Sequence, residues 1–179
     1  RGVKAGLATS PDIKIVGSIA GMWTDQVAQG EVQKWLATHP GQLDGVVVQS
    51  AAEMGVLRAL KQSGRENVKV AIGGELGALC TWRKNPDLIE AAIQAWPPGD
   101  DIALTWDIMM RTLQGQGPKV QSVLVEPVVV TYEEVEALLP EDCDENAQNW
   151  LNVGKDKWGS SAFLDDFFVN PADPTAYKP

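Results

Sequence analysis

Histidine and cysteine are scarce in this sequence: 179 residues contain one histidine, His39, and two cysteines, Cys80 and Cys143. Nucleophilic catalysis of the Ser-His-Asp type needs a histidine base beside its nucleophile. His39 instead lies in a His39-Pro40-Gly41 turn, and the chain has no Gly-x-Ser-x-Gly elbow. It reads as a helix-end residue. There is no Cys-x-x-Cys pair and no second histidine, so a zinc site has no ligand set, and no cofactor is expected. What the two cysteines can form is a Cys80–Cys143 disulfide in an oxidising compartment.

Long apolar runs are also lacking. No stretch of 18 apolar residues offers a membrane span, and Arg1 to Leu7 has no apolar middle of the kind a secretory signal carries, so an export signal is expected upstream or already removed. Basic residues are in deficit, 15 Lys and Arg against 24 Asp and Glu, a net charge of −9. With no cluster of basic and aromatic side chains, nucleic acid is not an expected partner. The glycine-rich segment Gly73-Gly74-Glu75-Leu76-Gly77 matches neither a dinucleotide fingerprint nor a P-loop and reads as a strand-to-helix turn. Internal repeats and low-complexity tracts are absent. The acid pairs Asp100-Asp101, Glu133-Glu134 and Asp165-Asp166 fall at helix starts or on solvated faces, where carboxylates favour the helix dipole.

What is present is an alternation of short β-branched runs and longer helical patterns, the signature of β-α units and a mostly parallel sheet. Strands are predicted at 13–18, 45–49, 68–72 and 91–95, with helices at 24–38 and 51–64 between them. Pro97-Pro98-Gly99 interrupts the pattern, and Asp100 is placed to cap a helix reaching Gly115. A run from Ser122 to Val130 reads as a strand bent or placed at an edge by Pro127, and Thr131 to Glu134 reads as a capping box opening a helix through Leu139. Beyond Pro140 the chain turns acidic and then aromatic, like a wrap anchored by large rings. The expected segments are 1–96, 97–120 and 121–179.

In open α/β sheets ligands bind beyond the carboxyl ends of the strands. Here those positions carry Trp23, Gln49 with Ser50, Gly74 with Glu75, and Trp96. Indoles can cover the C–H faces of a polyhydroxylated molecule while amide and carboxyl groups bond its hydroxyls.

The order and spacing of Pro11-Asp12-Ile13-Lys14-Ile15-Val16, Trp23, His39-Pro40, Val46-Val47-Val48-Gln49 and Val68-Lys69-Val70-Ala71-Ile72-Gly73-Gly74 resembles the ribose-type periplasmic sugar-binding proteins, over roughly residues 1 to 130. The resemblance implies a three-layer α/β/α fold of the type I periplasmic binding protein kind, with the carboxyl-terminal lobe (1–96) largely complete and the amino-terminal lobe, contributing the 97–120 helix, mostly missing. It implies a receptor that traps a sugar or polyol between two hinged lobes in the periplasm and delivers it to an ABC permease, monomeric when intact and not an enzyme. By the same resemblance Arg1 falls on a ligand-contacting arginine, Trp23 on a stacking aromatic, Gln49 on a hydroxyl-binding amide and Trp96 on the second crossing. The family's acid after the next strand is here Gly74 with Glu75 beside it. These exchanges point away from ribose to another sugar, polyol or small polar metabolite. The effector domain of a sugar-responsive repressor shares the fold and is the alternative, which the acidic, aromatic tail and a Cys80–Cys143 bridge oppose.

Overall fold

The computed structural model describes residues 2–94, 98–123, 128–150 and 164–169. After a short helix α1 (Gly2–Leu7), helix α2 (Asp25–Thr38) starts where Thr24, in extended conformation, accepts from the Val27 N–H at 3.4 Å. Ala28, Val32 and Leu36, one turn apart, form its buried stripe. The helix ends at His39, whose ring stacks on Trp35.

A β-α alternation follows: β1 (Gly45–Val47), α3 (Glu53–Gln62), β2 (Lys69–Ile72), α4 (Leu76–Lys84) and β3 (Ile89–Gln94). α3 stops ahead of Gly64, whose φ of +66° suits a residue without a Cβ. The three strands are parallel in the order β1-β2-β3. Because right-handed crossovers step across the sheet in one direction, α3 and α4 share a face. Val70, Ile72 and Ala92 point into the core built with those helices, which also takes in Leu57, Leu60, Ala78, Leu79 and Trp82. On the other face Val47 and Val129 are half-exposed.

α5 (Pro98–Leu113), β4 (Gly117–Pro118), β5 (Val128–Val130), α6 (Tyr132–Leu138) and β6 (Phe168–Val169) complete the elements. β5 joins the sheet antiparallel to β3, and β4 pairs with β6. The Thr131–Glu134 capping box forms as the spacing predicts. One side of α5 packs Leu104 and Ile108 on Leu164, Phe167 and Phe168, while the wholly buried Arg111 pairs with Asp165 at 2.7 Å. Asp165 is therefore an ion-pair partner, not merely a solvated helix-start acid.

Several sequence expectations are corrected. Residues 13–18 form no strand; Ile13, Ile15 and Val16 are about half-exposed. Their β-branched composition favours extended chain, but a strand also needs a neighbour to exchange hydrogen bonds with. β3 begins at Ile89, two residues before the predicted start. α5 starts at Pro98, where a missing N–H costs nothing, so Asp100 is inside the first turn instead of capping it. Of the run 122–130 only the last three residues are strand among those described, and the predicted bend at Pro127 lies outside the described residues.

Cys80 in α4 and Cys143 form a disulfide, their Cα atoms 5.7 Å apart. It ties the segment after α6 to the body of the molecule. That segment then crosses the start of α4: the Leu76 and Gly77 N–H groups donate to the carbonyls of Asn149 (2.8 Å) and Ala147 (2.9 Å). Helix starts leave such donors unsatisfied, and here chain carbonyls take them. The approach needs glycine, since a Cβ on Gly77 would sit 2.8 Å from the Ala147 oxygen. Lys84 and Glu145 pair alongside.

Candidate functional site

At the carboxyl ends of β1 and β2 two turns interlock. The first runs from Gln49 to Ala52, with Ala51 held at φ +65°; the second is Gly73-Gly74-Glu75, with Gly74 at φ +133°. Gly73 lies so close to the Ser50 side chain and to Glu53 Oε1 that a Cβ on it would meet that oxygen at 2.7 Å. A left-handed non-glycine residue such as Ala51 stores strain that surrounding contacts must hold.

Glu53, the first residue of α3, fastens the turns together. It is wholly buried, its Oε2 accepting from the Ala52 N–H at 3.0 Å and its Oε1 from the Gly73 N–H at 3.1 Å. Glu75 is only 5% exposed, and its Oε2 has no hydrogen-bond partner. Burial, then the hydrogen bond and negative charge of Glu53, then the charge of Asp25, push the Glu75 carboxyl up to about 8. Backbone pairing of Glu75 with Trp150 brings the terminal segment against the same spot.

A third loop adjoins. Met22 and Trp23, at φ +53° and +52°, precede the Thr24 cap, and Gly21 nestles near Ala28 and Ala52; a Cβ there would lie 3.6 Å from that of Ala52. Asp25 Oδ1 accepts from the Gly55 N–H at 2.8 Å, locking the starts of α2 and α3 together, and Arg58 approaches Asp25 at 3.9 Å.

The loops carrying Trp23, Gln49 and Glu75 thus sit at one end of the sheet, with Trp23 and Gln49 exposed and Glu75 buried. Arg1 and Trp96 lie outside the described residues. Sequence reasoning missed Glu53, Asp25 and the 147–150 segment. An acid in the first turn of a helix looks like an ordinary dipole partner, and only its full burial marks Glu53 as different. A cavity of about 400 Å³ bordered by Lys69, Trp82, Glu90 and Tyr132 lies where β2 and β3 begin, at the opposite end of the strands. Among the described residues no group of three or more His, Cys, Asp or Glu is arranged to hold a metal ion. Hydroxyl, amide, carboxyl and indole groups remain, a set that suits a hydroxyl-bearing molecule.

The turns after β1 and β2 lie at the end of the sheet where open α/β folds bind their ligands. The model of the periplasmic binding protein domain matches residues 1–117, and the chain belongs to that family. It is 34% identical over 71 residues to a xylitol-binding protein of Mycolicibacterium smegmatis, a match covering 39% of this chain and 20% of that one. Among solved structures it is similar to an ABC transporter solute-binding protein of Mycobacterium smegmatis with bound glycerol (22% identity, TM-score 0.64, 80% of this chain and 49% of that one). A second is an ABC transporter periplasmic solute-binding protein of Actinobacillus succinogenes with bound D-allose (21%, TM-score 0.58, 76% and 48%). A third, from Agrobacterium vitis, holds D-fucose (18%, TM-score 0.61, 83% and 49%). The fold is theirs: α/β with a mostly parallel sheet, of the type I kind. The chain spans about half the length of these structures, and its match to the curated relative covers a fifth of that protein.

Proposed function

We propose that this chain supplies one wall of the ligand cleft of an ABC-importer solute receptor, which traps a sugar, polyol or similar small polar molecule and hands it to a membrane permease. The observation that carries the reading is the meeting, in a member of this family, of the turns after β1 and β2, bearing Gln49 and Glu75, with the loop before α2 that bears Trp23. Trp23 stacks on the apolar face of the ligand, Gln49 bonds its hydroxyls, and Glu75 with Glu53 behind it supplies the acid function. Arg1, and Trp96 at the second crossing between lobes, complete the proposed polar and aromatic set. Such a receptor binds and releases its ligand unchanged.

The Cys80–Cys143 bridge supports a periplasmic or extracellular location, because disulfides persist in oxidising compartments, and disfavours a cytoplasmic repressor domain. Among the described residues no helix is long and apolar enough to cross a membrane. The test is isothermal titration of the full-length protein with xylitol, glycerol, D-allose and D-fucose. One-to-one binding of at least one of these, or of a closely related polyol, is expected; no binding across a broad panel of neutral sugars and polyols would contradict the reading. Mass measurement after alkylation should find no free thiol, whereas two alkylated cysteines would favour the repressor class.

A further inference from the structure

We propose that Glu53 and Glu75 act as a carboxyl pair holding a single proton, with Glu53 the positioning residue that fixes Glu75 and the turns around it. The argument begins with geometry. Both oxygens of Glu53 already accept backbone N–H groups, one from its own turn and one from Gly73, so this carboxylate is pinned and satisfied. Glu75 follows two residues after the Gly73 that Glu53 holds, is buried almost as fully, and keeps an oxygen without a partner. A buried unpaired carboxylate facing a second one is costly on two counts, desolvation and like charge. One proton on Glu75, donated to the Glu53 carboxylate, removes both.

Among the described residues, the neighbours do not offer another solution. From α2 comes Asp25, a further negative charge; Arg58 of α3 lies against Asp25. From the terminal segment, backbone groups of Asn149 and Trp150 meet the Glu75–Leu76 stretch, and Glu145 is turned towards Lys84 and Thr81. Glu75 accordingly titrates at about 8 and keeps its proton at neutral pH.

The consequence for binding rests on the receptor reading above. A pair with one negative charge instead of two accepts a neutral polyhydroxylated ligand and discriminates against sugar acids and sugar phosphates. Binding should weaken as the pH rises through about 8, where the second charge appears.

The test uses full-length protein labelled with ¹³C at the glutamate carboxyl carbons, titrated by NMR without ligand. Glu75 should remain protonated at neutral pH, and Glu53→Gln, whose amide can donate to a Glu75 carboxylate, should lower its midpoint by on the order of one pH unit or more. Asp25→Asn should lower it less. An ionised Glu75 at neutral pH, or a midpoint unmoved by Glu53→Gln, overturns the pair. Should Glu53→Gln not fold, Glu75→Gln provides the second reading. The native protein should lose stability as the pH rises from the ordinary carboxyl value of 4.5 towards about 8, since the unfolded chain has released a proton that the folded one retains. Glu75→Gln should abolish that loss, and equal slopes would overturn the proposal. Neither readout requires a ligand, so failure to bind any sugar would strike the receptor reading alone.

Discussion

Trp23 combines two features that core tryptophans rarely share: a left-handed backbone and 67% exposure. Little stability depends on its ring, so Trp23→Ala should leave the melting temperature within a few degrees while weakening ligand binding about tenfold or more, an aromatic stacking face being worth on the order of 1 kcal/mol or more. Calorimetry and titration on one preparation separate the two effects. Trp23→Gly sharpens the comparison, because it relieves the positive φ and should bind as poorly as the alanine variant without melting lower. Gln49 and Glu75 were placed from the sequence because each follows an apolar run that does form a strand, at the end where α/β sheets bind ligands, whereas the run before Trp23 forms none. Glu53 could not be placed in this way. Its sequence context is that of any acid in a first helical turn, and its burial comes from Gly73 lying against it, a contact between residues 20 apart.

Among the elements, the segment fastened by Cys80–Cys143 is the one whose loss should be felt most. Closing a loop between cysteines 63 residues apart is worth about 4 kcal/mol in the chain-entropy model. Cys143→Ser should lower the denaturation midpoint accordingly, measured in urea. Gly77→Ala should do so less, and chiefly by loosening the 147–150 segment, visible as faster amide exchange at Leu76 and Gly77. Helices were the more legible elements: α2, α3 and α6 carry their caps and terminators locally, at Thr24, Gly64 and the Thr131–Glu134 box. The β-branched run 13–18 shows why strands were harder. Its composition was read as a strand, but pairing depends on a neighbour, which local sequence does not encode.

At the scale of the whole molecule, two groups of exposed apolar residues stand out among the described residues: Ile13, Ile15, Val16 and Ile19 on one segment, and Ile102, Trp106, Met109 and Leu113 along one side of α5. The chain spans about half the length of the receptors it resembles in fold. Produced as these 179 residues alone, it should bind a hydrophobic dye and self-associate more than a protein of the receptors' full length; equal dye binding would mean that these faces stay open in the longer protein too. The α/β class and the parallel sheet were visible in the sequence because the alternation of periods 2 and 3.6 is a local signal. The antiparallel addition of β5 joins residues far apart in the chain and left no such trace, whereas the segment returning to α4 was signalled by its wrap-like composition and by Cys80 and Cys143, though not its hydrogen bonds to Leu76 and Gly77. The returning segment meets the candidate site at Glu75 from outside the run of β-α units.

The most direct measurement is native mass spectrometry of the full-length protein as purified, followed by release and identification of whatever it retains. The expected result is one neutral sugar, polyol or similar small polar molecule per chain, retained by the native protein and lost by Trp23→Ala. A protein that stays empty when offered such molecules, or that holds its ligand equally well without the Trp23 ring, would contradict a cleft built on these strand-end turns.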